Sequence, residues 1–383
     1  MKLLSIVGAR PQFVKVAMIA NAVQRYNRGT RSKHGRIQHR LIHTGQHYEH
    51  KMSGVFFEEL SLPEPHYHLG VGSGSHGKQT GQMLEQIEKV LLAEKPDVVM
   101  VYGDTNSTIA GAIAATKLHI PVAHLESGLR SFNRRMPEEI NRVASDHISD
   151  FLFCPTKTAV DNLRKEGIQR NVFLTGDVML DSMVAYRVKA RKHTKLLKDL
   201  GVTAQNYALA TIHRAENTDS PAKLGALLKA MASLRQTVIL PMHPRVREML
   251  KHARELRPME RTLRNAGNLK VIAPVSYLDM LTLELHARVV LTDSGGVQKE
   301  AFFAGVPCLT LRDETEWIET LEGGWNRVVG TDPARIRAAF HKEWARNRVG
   351  CGERPDWKAF GDSRSGDETI KALVGAIQST RHR

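Results

Sequence analysis

Short apolar runs rich in β-branched residues alternate with amphipathic stretches of helical period along almost the whole chain, and this alternation leaves few folds open. Strands separated by helix-length segments do not pair through tight hairpins; they run parallel, with helices crossing over the sheet faces. The first half offers strands at 3–7, 40–43, 98–102, 122–125, 151–153 and 172–174, with helices at 13–25, 80–93, 107–118 and 157–166 between them. The second half repeats the scheme with strands at 207–211, 238–240, 269–272, 289–291 and 308–310, and helices such as 222–234 and 297–304. The fold class is therefore α/β. At 383 residues the chain suits two domains, each able to bury its own core. The polar, basic stretch 187–201 divides the two series. We expect an N-terminal Rossmann-like domain over 1–180, joined by a C-terminal helix at about 366–383, and a second over 181–365. Tandem open sheets of this kind present ligand sites at the carboxyl ends of their strands, in the cleft between domains.

Composition narrows the function classes. Nothing approaches the roughly eighteen uninterrupted apolar residues of a membrane span, and the apolar run 3–7 is too short for a signal-peptide core. We expect a cytoplasmic protein with no membrane partner. The cysteines, Cys154, Cys308 and Cys351, are widely spaced and odd in number, supporting neither a disulfide framework nor a zinc site. A net charge of +15 would steer anionic ligands. The excess sits in 25–40, 187–198 and 245–264, and the last two read as solvated helix faces. No zinc finger, aromatic RNA-binding signature or Walker loop accompanies them, so nucleic acid is not an expected partner.

The chemistry-bearing residues cluster where strands end. Gly8-Ala9-Arg10-Pro11-Gln12-Phe13-Val14-Lys15 combines a turn glycine, a proline suited to a first helical turn, and two cations, Arg10 and Lys15, near a helix N-terminus; that favours a phosphate. Asp104, in Tyr102-Gly103-Asp104-Thr105, reads by itself as a helix cap. Glu126 follows an apolar strand in His124-Leu125-Glu126-Ser127-Gly128-Leu129-Arg130, and Met136-Pro137-Glu138-Glu139 opens a helix with two acids suited to its dipole. Three carboxylates at neighbouring strand or helix ends allow one to be protonated while another acts as base. In the second half His213-Arg214 follows a strand, and Thr292-Asp293-Ser294-Gly295-Gly296 runs from a strand into a helix. Ser294 can cap that helix, Gly295 and Gly296 let backbone N–H groups approach phosphate oxygens, and Glu300 stands within two turns, placed to accept ribose hydroxyls. The pattern is not GxGxxG, which argues against a nicotinamide cofactor.

Taken in order from Gly8-Ala9-Arg10-Pro11 to about Gly330, these motifs resemble the non-hydrolysing UDP-N-acetylglucosamine 2-epimerases, together with Pro137-Glu138-Glu139-Ile140-Asn141-Arg142, Thr175-Gly176-Asp177 and Glu300. The resemblance implies the glycosyltransferase-B architecture of two Rossmann-like domains, with the active site in their cleft, and a reaction path of elimination and re-addition. A base removes the C2 proton as UDP leaves C1, and UDP adds back to the 2-acetamidoglucal with protonation from the opposite face. By motif position the catalytic set is Asp104, Glu126, Glu138 and His213. UDP-sugar contacts fall to Arg10, Lys15, His213, Arg214, Ser294, Gly295, Gly296 and Glu300. UDP-sugar and UDP are the implied partners and a homodimer the usual assembly; no metal and no other cofactor is implied.

Departures from the bacterial pattern bear on the sugar. Trp317 stands where those members carry the arginine of Thr-Glu-Arg-Pro-Glu, and of their allosteric motifs Gln46 and His243 remain while neighbours differ. Thr44-Gly45-Gln46-His47-Tyr48-Glu49, the insertion-like segment 72–77 and Ser131-Phe132-Asn133-Arg134-Arg135 look more like the branch acting on UDP-2,3-diacetamido-2,3-dideoxyglucuronate, for which Arg134 and Arg135 are candidate sugar contacts. A retaining glycosyltransferase would share the Ser-Gly-Gly donor site but not need the three acids. A hydrolysing epimerase would differ in its access to water.

Overall fold

The structure, a computed structural model, describes residues 1–30, 35–46, 57–348 and 352–381. Two compact units form: Met1–Ser182 with Trp357–Arg383, and Met183–Asp356. The divide falls inside the helix Val178–Lys192, and the basic stretch 187–201 carries the end of that helix and the short helix Lys195–Asp199.

The first unit holds seven parallel strands: β1 (Lys2–Val7), β2 (Gln38–His43), β3 (Tyr67–His68), β4 (Val98–Tyr102), β5 (Val122–Leu125), β6 (Phe151–Cys154) and β7 (Val172–Leu174), in the order β3-β2-β1-β4-β5-β6-β7. The second holds six: β8 (Ala208–Thr211), β9 (Val238–Pro241), β10 (Leu269–Ile272), β11 (Val289–Thr292), β12 (Cys308–Thr310) and β13 (Asn326–Val328), in the order β10-β9-β8-β11-β12-β13, also parallel. The central strands are largely apolar because helices cover both faces; all five residues of β4 and all four of β11 are buried. Each unit is thus Rossmann-like, and the pair follows the plan of the glycosyltransferase-B class. Strands β3 and β13, of two and three residues, escaped the sequence reading because so short a run shows no periodicity.

Strand order reverses between β1 and β4 in one sheet and between β8 and β11 in the other. The chain leaves these neighbouring strands toward opposite faces, which opens a crevice at their carboxyl ends, where open α/β sheets bind ligands. In the first unit the C-terminal helix Ser365–Arg381 packs on Arg10–Gly29. Its start is fixed by Asp181, whose carboxylate accepts the Ser365 and Gly366 N–H groups at 3.0 and 2.8 Å. Among the described residues no helix is long and apolar enough to cross a membrane, and no cluster of His, Cys, Asp and Glu could hold a metal ion.

Candidate active site

At the switch point of the first unit, Gly8 ends β1. Its φ is not positive, so it serves close approach rather than a left-handed turn: a Cβ there would lie 2.0 Å from Thr44 Oγ1 and 2.2 Å from Ser107 Oγ. Buried Gln12 ties this turn to the end of β4, accepting the Gly8 N–H at 2.8 Å and donating to the Tyr102 carbonyl at 2.7 Å. Sequence reading treated Gln12 only as part of a motif; its burial is what marks its role. Lys15, one helical turn further, is also buried and forms an ion pair with Glu126. Burial pushes the Lys15 ammonium down, but the charge and hydrogen bond of Glu126, aided by Asp104 and Asp177, outweigh it, so its pKa is raised and the cation persists.

Asp104 does not cap the next helix. Thr105 does, its Oγ1 accepting from Thr108 N at 3.4 Å, which leaves the Asp104 carboxylate to meet Arg142 Nη2 at 2.5 Å. Arg142 also donates to Glu139 at 2.6 Å. The two acids that open the helix Pro137–Ile148 therefore part company. Glu139 is buried, accepting the Ser131 and Phe132 N–H groups, both at 3.0 Å, as well as the Arg142 guanidinium. Glu138 is half-buried and lies one turn before Arg142 on the same side of the helix. Glu126 sits in the left-handed region at φ 70°, where a residue with a Cβ is strained by about 1–2 kcal/mol. The geometry is held by its own N–H and that of Ser127, both donating to the Phe153 carbonyl at 3.1 Å.

The second unit offers donors instead of acids. Asp293, fully buried at the end of β11, accepts the backbone N–H groups of His213 and Arg214 and the Asn217 amide, each at 3.1 Å. Burial pushes its carboxyl up, but the His213 ring and these hydrogen bonds more than reverse that and hold it below the usual range. His213 Nδ1 faces Asp293 at 3.2 Å, which fixes the ring and directs Nε2 away from the carboxylate. Ser294 caps the helix Gly295–Ala304 through Val297 N. At Gly295 a Cβ would come within 2.6 Å of Glu316 Oε1 and 3.0 Å of Trp317 Nε1; at Gly296 it would meet only Ser294 Oγ, at 3.8 Å. Close packing thus demands glycine at 295, whereas at 296 the protein itself demands nothing. Arg214 reaches Glu316 at 3.5 Å, and Arg312 holds the other Glu316 oxygen at 2.9 Å. Trp317 lies beneath Lys299, whose ammonium stands 3.6 Å over the ring. Glu300 is nearly buried on the second turn. Burial, and after it the charge of Glu300, hold the Glu284 carboxyl well above its usual range.

The structure therefore brings Lys15, Asp104 and Glu126 into one charged network with Arg142, and sets Glu138 on the helix that carries Arg142. It gathers His213, Arg214 and Ser294 around Asp293 in the second unit. Arg10 is half-buried at the start of its helix, while Arg134 and Arg135 occupy an exposed turn. Gln46 accepts from Ser107 Oγ at 2.7 Å and His243 caps the helix Pro244–His252. Cys351 and His47-Tyr48-Glu49 lie outside the described residues.

Comparison with known proteins now decides the family. The sequence model of the UDP-N-acetylglucosamine 2-epimerase family matches residues 30–374. The chain belongs to that family. Its members are isomerases. A UDP-N-acetylglucosamine 2-epimerase homolog of Methanococcus maripaludis is 51% identical over 337 residues, 88% of this chain and 90% of its own length. The UDP-2,3-diacetamido-2,3-dideoxy-D-glucuronate 2-epimerase of Pseudomonas aeruginosa is 43% identical across 98% of this chain and 99% of its own. The crystal structure of Methanocaldococcus jannaschii UDP-GlcNAc 2-epimerase in complex with UDP-GlcNAc and UDP superposes with a TM-score of 0.88 at 43% identity, covering 98% of this chain and all of that one (100%).

Proposed function

We propose that this 2-epimerase interconverts UDP-N-acetylglucosamine and UDP-N-acetylmannosamine. The observation that carries the reading is the convergence of acids and fixed cations at the carboxyl edge of the first sheet. Asp104 and Glu126 each carry a buried cation partner, and Glu138 stands one turn from the arginine that grips Asp104. Inversion at C2 needs a base on one face of the sugar, an acid on the other, and support for positive character at C1 as the C1–O bond to UDP breaks. Proton and leaving group then return, so atoms and charge balance without a redox step. We assign these tasks jointly to Asp104, Glu126 and Glu138. The diphosphate falls to the second unit: backbone N–H groups at Ser294–Gly296, the His213 ring, Arg214, and Glu300 for the ribose. Arg10 and Lys15 add positive charge on the first unit. The free space at Gly296 supports this, because nothing in the fold itself asks for glycine there. Being M. jannaschii UDP-GlcNAc 2-epimerase, the solved relative with UDP-GlcNAc and UDP bound favours the unmodified acetylglucosamine. A cytoplasmic homodimer completes the proposal, the dimer being checked by sedimentation.

Incubation with UDP-N-acetylglucosamine in D2O, followed by proton NMR, tests it. Deuterium at C2 and growth of the UDP-N-acetylmannosamine signal, without acceptor or added nicotinamide, are expected. No C2 exchange with either this sugar or the diacetamido uronate would overturn the reaction. Exchange with the uronate alone would overturn the substrate and give weight to Arg134 and Arg135.

A further inference from the structure

Behind the three acids lies a buried network that touches none of the groups assigned to the sugar, yet reaches the loop of each. His124, the third residue of β5, is fully buried. Its Nδ1 meets Asp146 Oδ1 at 2.7 Å and its Nε2 meets the Gly103 carbonyl at 2.7 Å. A carboxylate and a backbone carbonyl are both acceptors, so the ring is clamped between two acceptors on different elements. The other Asp146 oxygen accepts Gly128 N at 3.0 Å and Arg130 Nη1 at 2.6 Å. Arg130 in turn holds Glu166 through two bonds of 2.6 and 2.8 Å.

Each connection leads to one acid. Gly103 immediately precedes Asp104, and its carbonyl shares one planar peptide unit with the Asp104 N–H, so holding that carbonyl fixes the direction in which Asp104 starts. Gly128 is two residues past Glu126 in the same turn. Asp146 lies on the helix Pro137–Ile148, whose first turn bears Glu138. That helix also supplies Asn141, donating to the Asp104 carbonyl at 3.0 Å, and Arg142 on the Asp104 carboxylate. One helix thus bears one acid and sets the position of the other two.

We propose that His124 is a positioning residue for the epimerisation, bridging Asp146 to the Gly103 carbonyl so that Asp104 and Glu126 keep register with Glu138. The proposal rests on the epimerase reading and adds what fixes its geometry. Small displacements of reacting groups cost large factors in rate, whereas binding of the distant nucleotide is insensitive to them.

Two variants separate the two bonds. In His124→Asn the amide nitrogen falls near the position of Nδ1, keeping the tie to Asp146 and losing that to Gly103. In His124→Gln it falls near Nε2, keeping the tie to Gly103. C2 exchange by the unaltered enzyme in D2O must be seen first; its absence would sink the epimerase reading before this one is tested. Given that exchange, His124→Asn should lower kcat by about 10–100-fold, with KM for UDP-N-acetylglucosamine and Kd for UDP within threefold. His124→Gln should recover part of the lost kcat. His124→Asn with kcat within threefold of the parent overturns the proposal. So does a loss carried by KM and UDP affinity instead of kcat, or a glutamine variant no better than asparagine. Should His124→Asn fail to fold, Asn141→Ala removes the parallel tie on the Asp104 carbonyl. That variant is expected to lower kcat with KM unchanged, and no fall in kcat would count against control of Asp104 by this helix.

Discussion

Asp104 and Asp293 hold the same place in two sheets of the same plan. Each follows the strand just beyond the point where strand order reverses, yet their surroundings give them opposite work. The Asp104 side chain is 29% exposed and meets the Arg142 guanidinium, while that of Asp293 is fully enclosed and accepts backbone N–H groups from the next strand end. Topology offers a position for chemistry; what fills it depends on whether the neighbouring loop brings donors inward. In the second unit the turn after β8 folds its own N–H groups onto the acid, making Asp293 part of the scaffold. In the first, Thr105 takes over the helix cap and Gln12 donates to the Tyr102 carbonyl just before it, leaving the Asp104 carboxylate to the Arg142 guanidinium.

The largest effect should come from neutralising the outward acids. Asp104→Asn, Glu126→Gln and Glu138→Gln are each expected to reduce turnover by about 10²–10⁴-fold, with UDP affinity, measured by calorimetry, nearly unchanged. An amide variant of full activity removes that residue from the set. Next, Asp293→Asn should destabilise the protein by about 3 kcal/mol, since an amide cannot accept all the N–H groups converging on it. Asp104→Asn, partly solvated, should cost about 1 kcal/mol or less. Urea unfolding read by tryptophan emission suits the comparison, because Trp317, Trp325 and Trp344 lie in the second unit and Trp357 in the first. The sign with pH follows: Asp293 folds with its pKa below the ordinary 3.8, so its contribution is present above about that pH and is lost as pH falls through the folded value. Acidification from pH 5 to pH 3 should therefore destabilise the parent more than Asp293→Asn; equal slopes would contradict the structural role.

A smaller effect distinguishes the two glycines. Gly296→Ala should leave stability unchanged and weaken UDP binding by about tenfold, as a methyl group intrudes where phosphate oxygens approach the N–H groups. Unchanged affinity would remove Gly296 from the nucleotide site. Smallest of all, Arg134→Ala and Arg135→Ala, on an exposed turn, should alter KM for UDP-N-acetylglucosamine by less than about threefold, since exposed charges are screened. A larger change would tie that turn to the sugar.

The strands were legible because parallel strands covered on both faces are largely apolar and β-branched; 98–102, 122–125 and 269–272 coincide with observed elements. The Ser294 cap was equally local, being a matter of one side chain and an N–H three residues on. The Asp104 cap was misread because Asp104 and Thr105 are both good capping residues, and only the turn geometry chooses between them. Glu138 and Glu139 are alike in any one-dimensional reading, and hydrogen bonds from residues 131 and 132 separate them. His124 and Asp146, twenty-two residues apart, carried no local sign of pairing.

By itself, then, the sequence determined that this chain builds two parallel α/β units with acids, cations and a Ser-Gly-Gly turn at strand ends, because hydrophobic period and capping chemistry act over a few residues. Which carboxylate faces outward, which is enclosed by N–H groups, and which histidine ties the loops together were decided only by tertiary structure. Those outcomes depend on donors and acceptors brought together from distant strands, and burial makes each unmet partner costly enough to fix the arrangement.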